Sequence, residues 1–200
     1  LLAAKMNCIY LDTGAMYRTV GLLAVRMNTD RHDDAALAEL LKNADIRVLR
    51  VDGSQHMALG GEDVETLIRT PEISMAASDV ASCPSVRREL VALQQKIAAG
   101  CDVVMDGRDI GTRVLPDADY KFFLTASDKV RAQRRYDELK AKGESVTLQE
   151  VLEDVRRRDE QDTTRAESPL TMADDATEVE TDDLGIDEVV TVLMALMGRF

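Results

Sequence analysis

An α/β fold with a mainly parallel sheet is predicted by three features of the chain. Short strand candidates at Cys8–Leu11, Val103–Met105, Tyr120–Leu124 and Thr177–Thr181 are separated by long stretches of helical spacing. Strand and helix alternate along the sequence, which places strands side by side with helices covering the sheet. A single segment, near residues 46–61, breaks the alternation with the period and turn chemistry of a hairpin.

The elements follow in order. LLAAKMN reads as the end of a helix, and Cys8–Leu11 as a short apolar strand. Thr13 and Gly14 open a helix to about Asn28, with Met16, Val20, Leu23 and Met27 at helical spacing. Asp33 or Asp34 can cap a second helix over AALAELLKNA. IRVLRV, the turn signal Asp52-Gly53 and QHMALGG make the hairpin. Pro71 begins another helix and Ser82-Cys83-Pro84 restarts it, because proline is tolerated in a first turn. That helix runs from Ser85 to about Ala99 and stops at Gly100. After Tyr120–Leu124, Ser127 caps a helix that Gly143 closes. Thr147 and Glu150 form a capping box for a highly charged helix ending near Asp162. Thr177–Thr181 is the last strand and Ile186–Met197 the last helix.

The composition narrows the function classes. At 200 residues the chain can bury a substantial core in one domain. Its apolar fraction of 45% and charged fraction of 31% are those of a soluble globular protein, and a cytoplasmic location is expected. No stretch reaches the roughly 20 apolar residues that cross a bilayer. Cys8, Cys83 and Cys101 are scattered, so neither a disulfide framework nor structural zinc is predicted, and all three read as buried small hydrophobes. His32 and His56 lie in loop and hairpin contexts and receive no role. A net charge of −12 argues against a nucleic-acid binder, which needs broad basic surface. Yet Arg outnumbers Lys 18 to 7, and seven arginines fall between Arg131 and Arg165. Arginine forks grip phosphate oxygens in pairs, so an acidic protein with clustered arginine suggests a small phosphorylated ligand. A solvated helix face with salt bridges gives the same composition.

Three polar clusters should gather beyond the carboxyl ends of the strands, where open α/β sheets bind ligands. They are Leu11-Asp12-Thr13-Gly14-Ala15-Met16-Tyr17-Arg18, Asp106-Gly107-Arg108-Asp109-Ile110-Gly111-Thr112, and the run from Arg156 to Arg165. Taken singly, they could be a helix cap, a turn and a solvated helix end.

Together, LDTGAMYR, DGRDIGT and R-D-x-x-D-x-x-R resemble the motifs of bacterial-type cytidylate kinases, in order and at fitting separations over essentially the whole chain. The resemblance implies a P-loop-kinase-like parallel sheet flanked by helices. It implies one domain over 1–200, with a nucleotide-binding hairpin insert at 40–72 and a helical lid at 127–165. It implies phosphoryl transfer from ATP to CMP or dCMP, assisted by magnesium, with no residue of this chain assigned to a metal. Carried over, Thr13, Ser78, Arg87 and Asp109 would surround the cytosine. Arg18, Arg108 and Arg165 would hold the acceptor phosphate, and Arg158 and Asp162 would bind around the sugar, Arg158 also near the phosphate. Arg131 and Arg135, with Arg134 and Arg156–Arg158, would close over the transferred group from the lid. Surface pairing of Arg134 and Arg135 with Asp137 and Glu138 is the plainer alternative. No nucleic-acid or membrane partner is implied, and a monomer is expected.

The cytosine assignment makes chemical sense. Cytosine offers an exocyclic amine donor beside the acceptors N3 and O2; a carboxylate such as Asp109 accepts from the amine, and Arg87 donates to N3 and O2. Uracil reverses the first two positions, and such buried mismatches discriminate by about 10⁴ or more.

The resemblance also implies a phosphate loop, G-x-x-x-x-G-K-[ST], between a first strand and a first helix. No Gly-Lys pair occurs in the sequence, and Lys5 follows two alanines. The expectation is that the ATP loop and the first central strand, about 20 residues, lie upstream of Leu1. Two functions are then open: an enzyme, or a nucleotide-binding remnant that holds CMP without transferring phosphate.

Overall fold

The computed structural model describes residues 1–199. Helix α1 (Leu2–Met6) ends where Asn7 turns left-handed at φ 54°, its N–H reaching the carbonyls of Ala3 and Ala4. Asn tolerates that conformation better than most residues. Strand β1 (Ile9–Asp12) runs straight into α2 (Thr13–Arg26), capped by Asp12, whose carboxylate accepts from Ala15 N at 2.8 Å. Because α2 closes at Arg26, Met27 lies outside the helix and is 60% exposed rather than part of its apolar stripe. Asp33 caps α3 (Asp34–Lys42), accepting from Ala35 N and Ala36 N.

Strands β2 (Ile46–Val51) and β3 (Ser54–Leu59) form an antiparallel hairpin paired from Ile46–Leu59 to Val51–Ser54. Asp52 and Gly53 make its turn at φ 49° and 82°, the left-handed pair that Asp-Gly favours. A two-residue strand not foreseen from the sequence, β4 (Glu62–Asp63), extends this sheet. A 3₁₀ turn at Leu67–Arg69 leads to α4 (Pro71–Val80), capped by Thr70, and then α5 (Pro84–Ala98). After β5 (Val103–Asp106), a π-helical turn at Ile110–Val114 precedes β6 (Phe122–Thr125). Helices α6 (Asp128–Ala141) and α7 (Leu148–Thr164) follow, the latter opened by the Thr147–Glu150 capping box. Strand β7 (Thr177–Glu180) and helix α8 (Ile186–Leu196) complete the order. Strand β6 begins two residues later than its apolar run suggests. The ladder starts only where Thr177 stands opposite Phe122, and hydrophobicity alone does not locate a partner's first residue.

The parallel strands make two ladders. β1 pairs with β5 from Ile9–Val103 to Asp12–Asp106, and β6 pairs with β7 from Phe122–Thr177 to Thr125–Glu180. Each pair needs a long crossover, supplied by α2–α5 in one case and α6–α7 in the other. The main core gathers Leu11, Met16, Val20, Leu37, Met57, Ile68, Val80, Val86 and Leu90. A second cluster, Ala132, Leu139 and Val151, lies between α6 and α7. Of the three cysteines only Cys83 is buried; Cys8 is half-buried and Cys101 is exposed on the turn after α5. Among the described residues no helix is long and apolar enough to cross a membrane.

Candidate functional site

Strands β1 and β5 end side by side on Asp12 and Asp106, the last register pair of their ladder. Buried Thr13 locks that end, donating to the Asp106 carbonyl at 2.7 Å. Gly107 leaves room for it: a Cβ there would lie 2.4 Å from Thr13 Oγ1 and 2.8 Å from Ile110 Cδ1. One Asp12 oxygen caps α2, and the other accepts from Arg18 Nη2 at 2.7 Å and Arg69 Nη1 at 2.9 Å. Tyr10 donates its hydroxyl to Asp106 Oδ1 at 3.1 Å. Solvent touches Asp106, yet crowding protein around its carboxyl, and then the charge of Asp12, push its pKa above the usual range; the Tyr10 hydrogen bond, Arg108 and Arg18 act against this.

Deeper in, Arg87 projects from α5 to the residue just before the π-helical turn. It donates Nη2 to Asp109 and Nη1 to the Ala81 carbonyl at 3.1 Å. Its guanidinium also lies over the Tyr17 ring, 5.5 Å from the centroid. Burial pushes the Tyr17 phenol up to about 12. Arg165, at the end of α7, donates Nε to Ser168 O at 2.7 Å and Nη1 to Asp162 Oδ1 at 3.3 Å. Its pKa is lowered by burial first and by the nearby Arg87 charge second. Asp162 also accepts from Arg108 Nε at 2.8 Å. The third motif thus meets the second through Arg108–Asp162, and the first through Arg165 beside Tyr17.

The lid candidates divide. Arg158 is held below the ordinary arginine value by burial; Asp154 opposes that shift, while Arg135, Arg157 and Arg108 add to it. Arg131 is engaged by Asp159 through both Nη atoms at 2.8 and 2.6 Å, and Arg156 by Asp128 at 2.6 Å, so two ion pairs pin α6 to α7. Arg135 pairs with Glu138 at 2.7 Å, the surface contact that was the plainer alternative. Arg134 does not pair with Asp137 or Glu138; it donates to the carbonyls of Thr181 and Leu184 and braces the turn after β7. Among the described residues the Ser78 hydroxyl bonds only within its own helix, to Ser74 O at 3.4 Å.

Six buried side-chain polar atoms lack a hydrogen-bond partner among the described residues, and five belong here: Tyr17 OH, Arg18 Nε, Arg87 Nε, Arg158 Nε and Arg165 Nη2. Buried donors without acceptors are rare and costly. Their concentration in one region marks a surface that an acceptor-rich ligand would complete.

Several members were not singled out from the sequence. Asp12, Tyr17 and Asp106 sit inside the motifs, and only their packing reveals contacts. Arg69 and Gln55 come from the hairpin segment. Gln55 accepts from Asp12 N at 2.7 Å and donates to Asp12 O at 3.1 Å. No local pattern marks either residue, since each acts on a strand more than 40 positions away.

The family model described as cytidylate kinase matches residues 1–199. The cytidylate kinase of Carboxydothermus hydrogenoformans is 48% identical over 199 residues, covering 100% of this chain and 90% of that protein. That of Caldicellulosiruptor bescii is 46% identical, covering 100% and 88%. That of Bacillus subtilis is 45% identical over 194 residues, covering 97% and 87%.

Proposed function

The chain belongs to the cytidylate kinase family and is a phosphotransferase, and from this premise we propose that it transfers the γ-phosphoryl group of ATP to CMP or dCMP, giving CDP or dCDP. The observation that carries the reading is the cluster of partnerless buried donors on Tyr17, Arg18, Arg87, Arg158 and Arg165. A nucleotide monophosphate brings phosphate, sugar and base oxygens in a single ligand and can satisfy them together.

In this reading Arg87 and Asp109 face the cytosine, with Thr13 and Ser78 nearby. Their mutual ion pair opens enough to share its donor with N3 and O2 and its acceptor with the exocyclic amine. Arg18, Arg108 and Arg165 hold the acceptor phosphate, and Asp162 takes the sugar hydroxyls. Arg158 stands between sugar and phosphate, and Arg131 and Arg135 approach the transferred group from α6. A phosphate oxygen of CMP attacks the γ-phosphorus of ATP, one P–O bond forms, the β–γ bridging P–O bond breaks, and ADP departs. The arginines position both reactants and offset the charge on the equatorial oxygens, which is most of what such a reaction asks of a protein. The separate small core between α6 and α7 supports treating 127–165 as a lid, and the hairpin's hold on Asp12 supports 40–72 as the monophosphate-binding insert.

Magnesium is the metal that ATP chemistry implies. Such an ion is held largely by the phosphates of the nucleotide and by water, with one or two protein carboxylates at most, and no step here runs through it.

Steady-state kcat/KM for CMP, dCMP, UMP and AMP with ATP as donor tests the proposal. CMP and dCMP are expected to be far preferred. A preference for AMP or UMP would overturn it, and CMP binding without turnover would support the non-catalytic remnant.

A further inference from the structure

The Asp12 carboxylate gathers two guanidinium groups from distant parts of the chain. Arg18 reaches it from α2, which Asp12 caps, and Arg69 from the 3₁₀ turn that closes the hairpin segment, and both donate to the same oxygen, at 2.7 and 2.9 Å. Two guanidinium groups are thereby held side by side at one oxygen. Glu65 already satisfies the other side of Arg69, accepting from Nε at 2.8 Å and from Nη2. Only Nη1 is extended toward Asp12. Burial works against the Arg69 charge, but the hydrogen bonds to Glu65 and Asp12 outweigh it and hold the group firmly protonated. On the other partner, Arg18 Nε is buried with no acceptor among the described residues. Gly14 lets the pair close over the start of α2, since a Cβ there would crowd Arg18 Nη1 and Asp12 Oδ1, each at 3.1 Å.

We infer that Arg69 is a further ligand of the acceptor phosphate, and that Asp12 is the positioning carboxylate that holds it beside Arg18. This rests on the reading of Arg18 as a phosphate ligand. Without nucleotide, Asp12 stands in for the anion. When the phosphate arrives, its oxygens take over the shared donors, and Arg18 Nε gains an acceptor. Gln55 grips the backbone of Asp12 on both its N–H and its carbonyl, so the hairpin segment is registered on the same residue that presents the arginines. Occupancy of the phosphate position is thereby tied to the seating of the hairpin.

The test is the affinity of the protein for CMP against cytidine, which differ only in the phosphate, measured by titration calorimetry. Arg69→Met is expected to weaken CMP by roughly 10- to 150-fold, the range for a lost hydrogen bond to a charged group, while leaving cytidine within about twofold. Arg69→Lys should recover only part of the loss, because a point charge replaces a planar fork. Asp12→Asn keeps a helix cap and should also weaken CMP selectively, with little further effect in the Arg69→Met background. Equal loss for CMP and cytidine, or no loss, would overturn the inference and make Arg69 a brace. Should Arg69→Met fail to fold, Arg69→Lys decides: a fall of about fivefold or more in the CMP-to-cytidine ratio supports the role, and an unchanged ratio overturns it. If the unaltered protein shows no preference for CMP over AMP, the proposed function falls, and this inference with it.

Discussion

Arg87 and Asp109, 22 residues apart in the chain, close on each other as an ion pair with side chains only 5% and 6% exposed. The geometry makes each the other's chief partner, with Ala81 O as the one further acceptor for Arg87 among the described residues. Removing one member leaves a buried charge without compensation, whereas replacing both with apolar groups does not. Asp109→Ala is therefore expected to lose about 3–5 kcal/mol of unfolding free energy, and Arg87→Leu combined with Asp109→Leu markedly less. Urea denaturation of the two variants checks this.

The same pair should set base selectivity. Asp109→Asn retains shape but adds an amide donor that can face uracil O4. The CMP-to-UMP ratio of kcat/KM is expected to fall by at least about tenfold. An unchanged ratio would place base recognition elsewhere.

Asp162 links Arg108 and Arg165, and its backbone carbonyl accepts from Leu170 N at 2.7 Å. Asp162→Ala should lower kcat/KM for CMP by roughly 10- to 150-fold, since a hydrogen bond to a charged group is lost and two arginines lose their anchor. A change below about threefold with unaltered stability would return this residue to the solvated helix end that its sequence context equally allows.

Asp106 makes a prediction in pH. Its folded pKa lies above the ordinary carboxylate value, through the protein crowded around its carboxyl and then the charge of Asp12. Between the unfolded and folded values the native protein holds a proton that the unfolded chain has released. Stability from this group is therefore greatest on the acid side and is lost as pH rises through that window. Asp106→Asn keeps an acceptor for Tyr10 and removes the loss. The variant should be more stable than the parent at neutral pH, and this advantage should vanish as pH falls below the ordinary carboxylate range. Urea unfolding of both proteins across that span measures it, and an advantage independent of pH would contradict the assignment to Asp106.

Much of this protein is legible in its sequence because the signals are local. The caps at Asp33 and Ser127, the capping box of Thr147 and Glu150, and the Asp52-Gly53 turn each involve residues a few positions apart. Their conformational preferences need no distant partner, so the element order and the motifs at the strand ends follow from the chain alone. The pairing of side chains does not. Arg134 is adjacent to Arg135 on α6, yet one braces the turn after β7 and the other meets Glu138. Arg69 looks like any basic residue before a proline-led helix until the chain brings it 57 positions back to Asp12. Helical spacing decides which face a residue occupies, but only the packing of one element on another decides what that face meets. A guanidinium becomes a tie between helices, a surface pair or a brace according to which carboxylate or carbonyl the tertiary fold sets close to it.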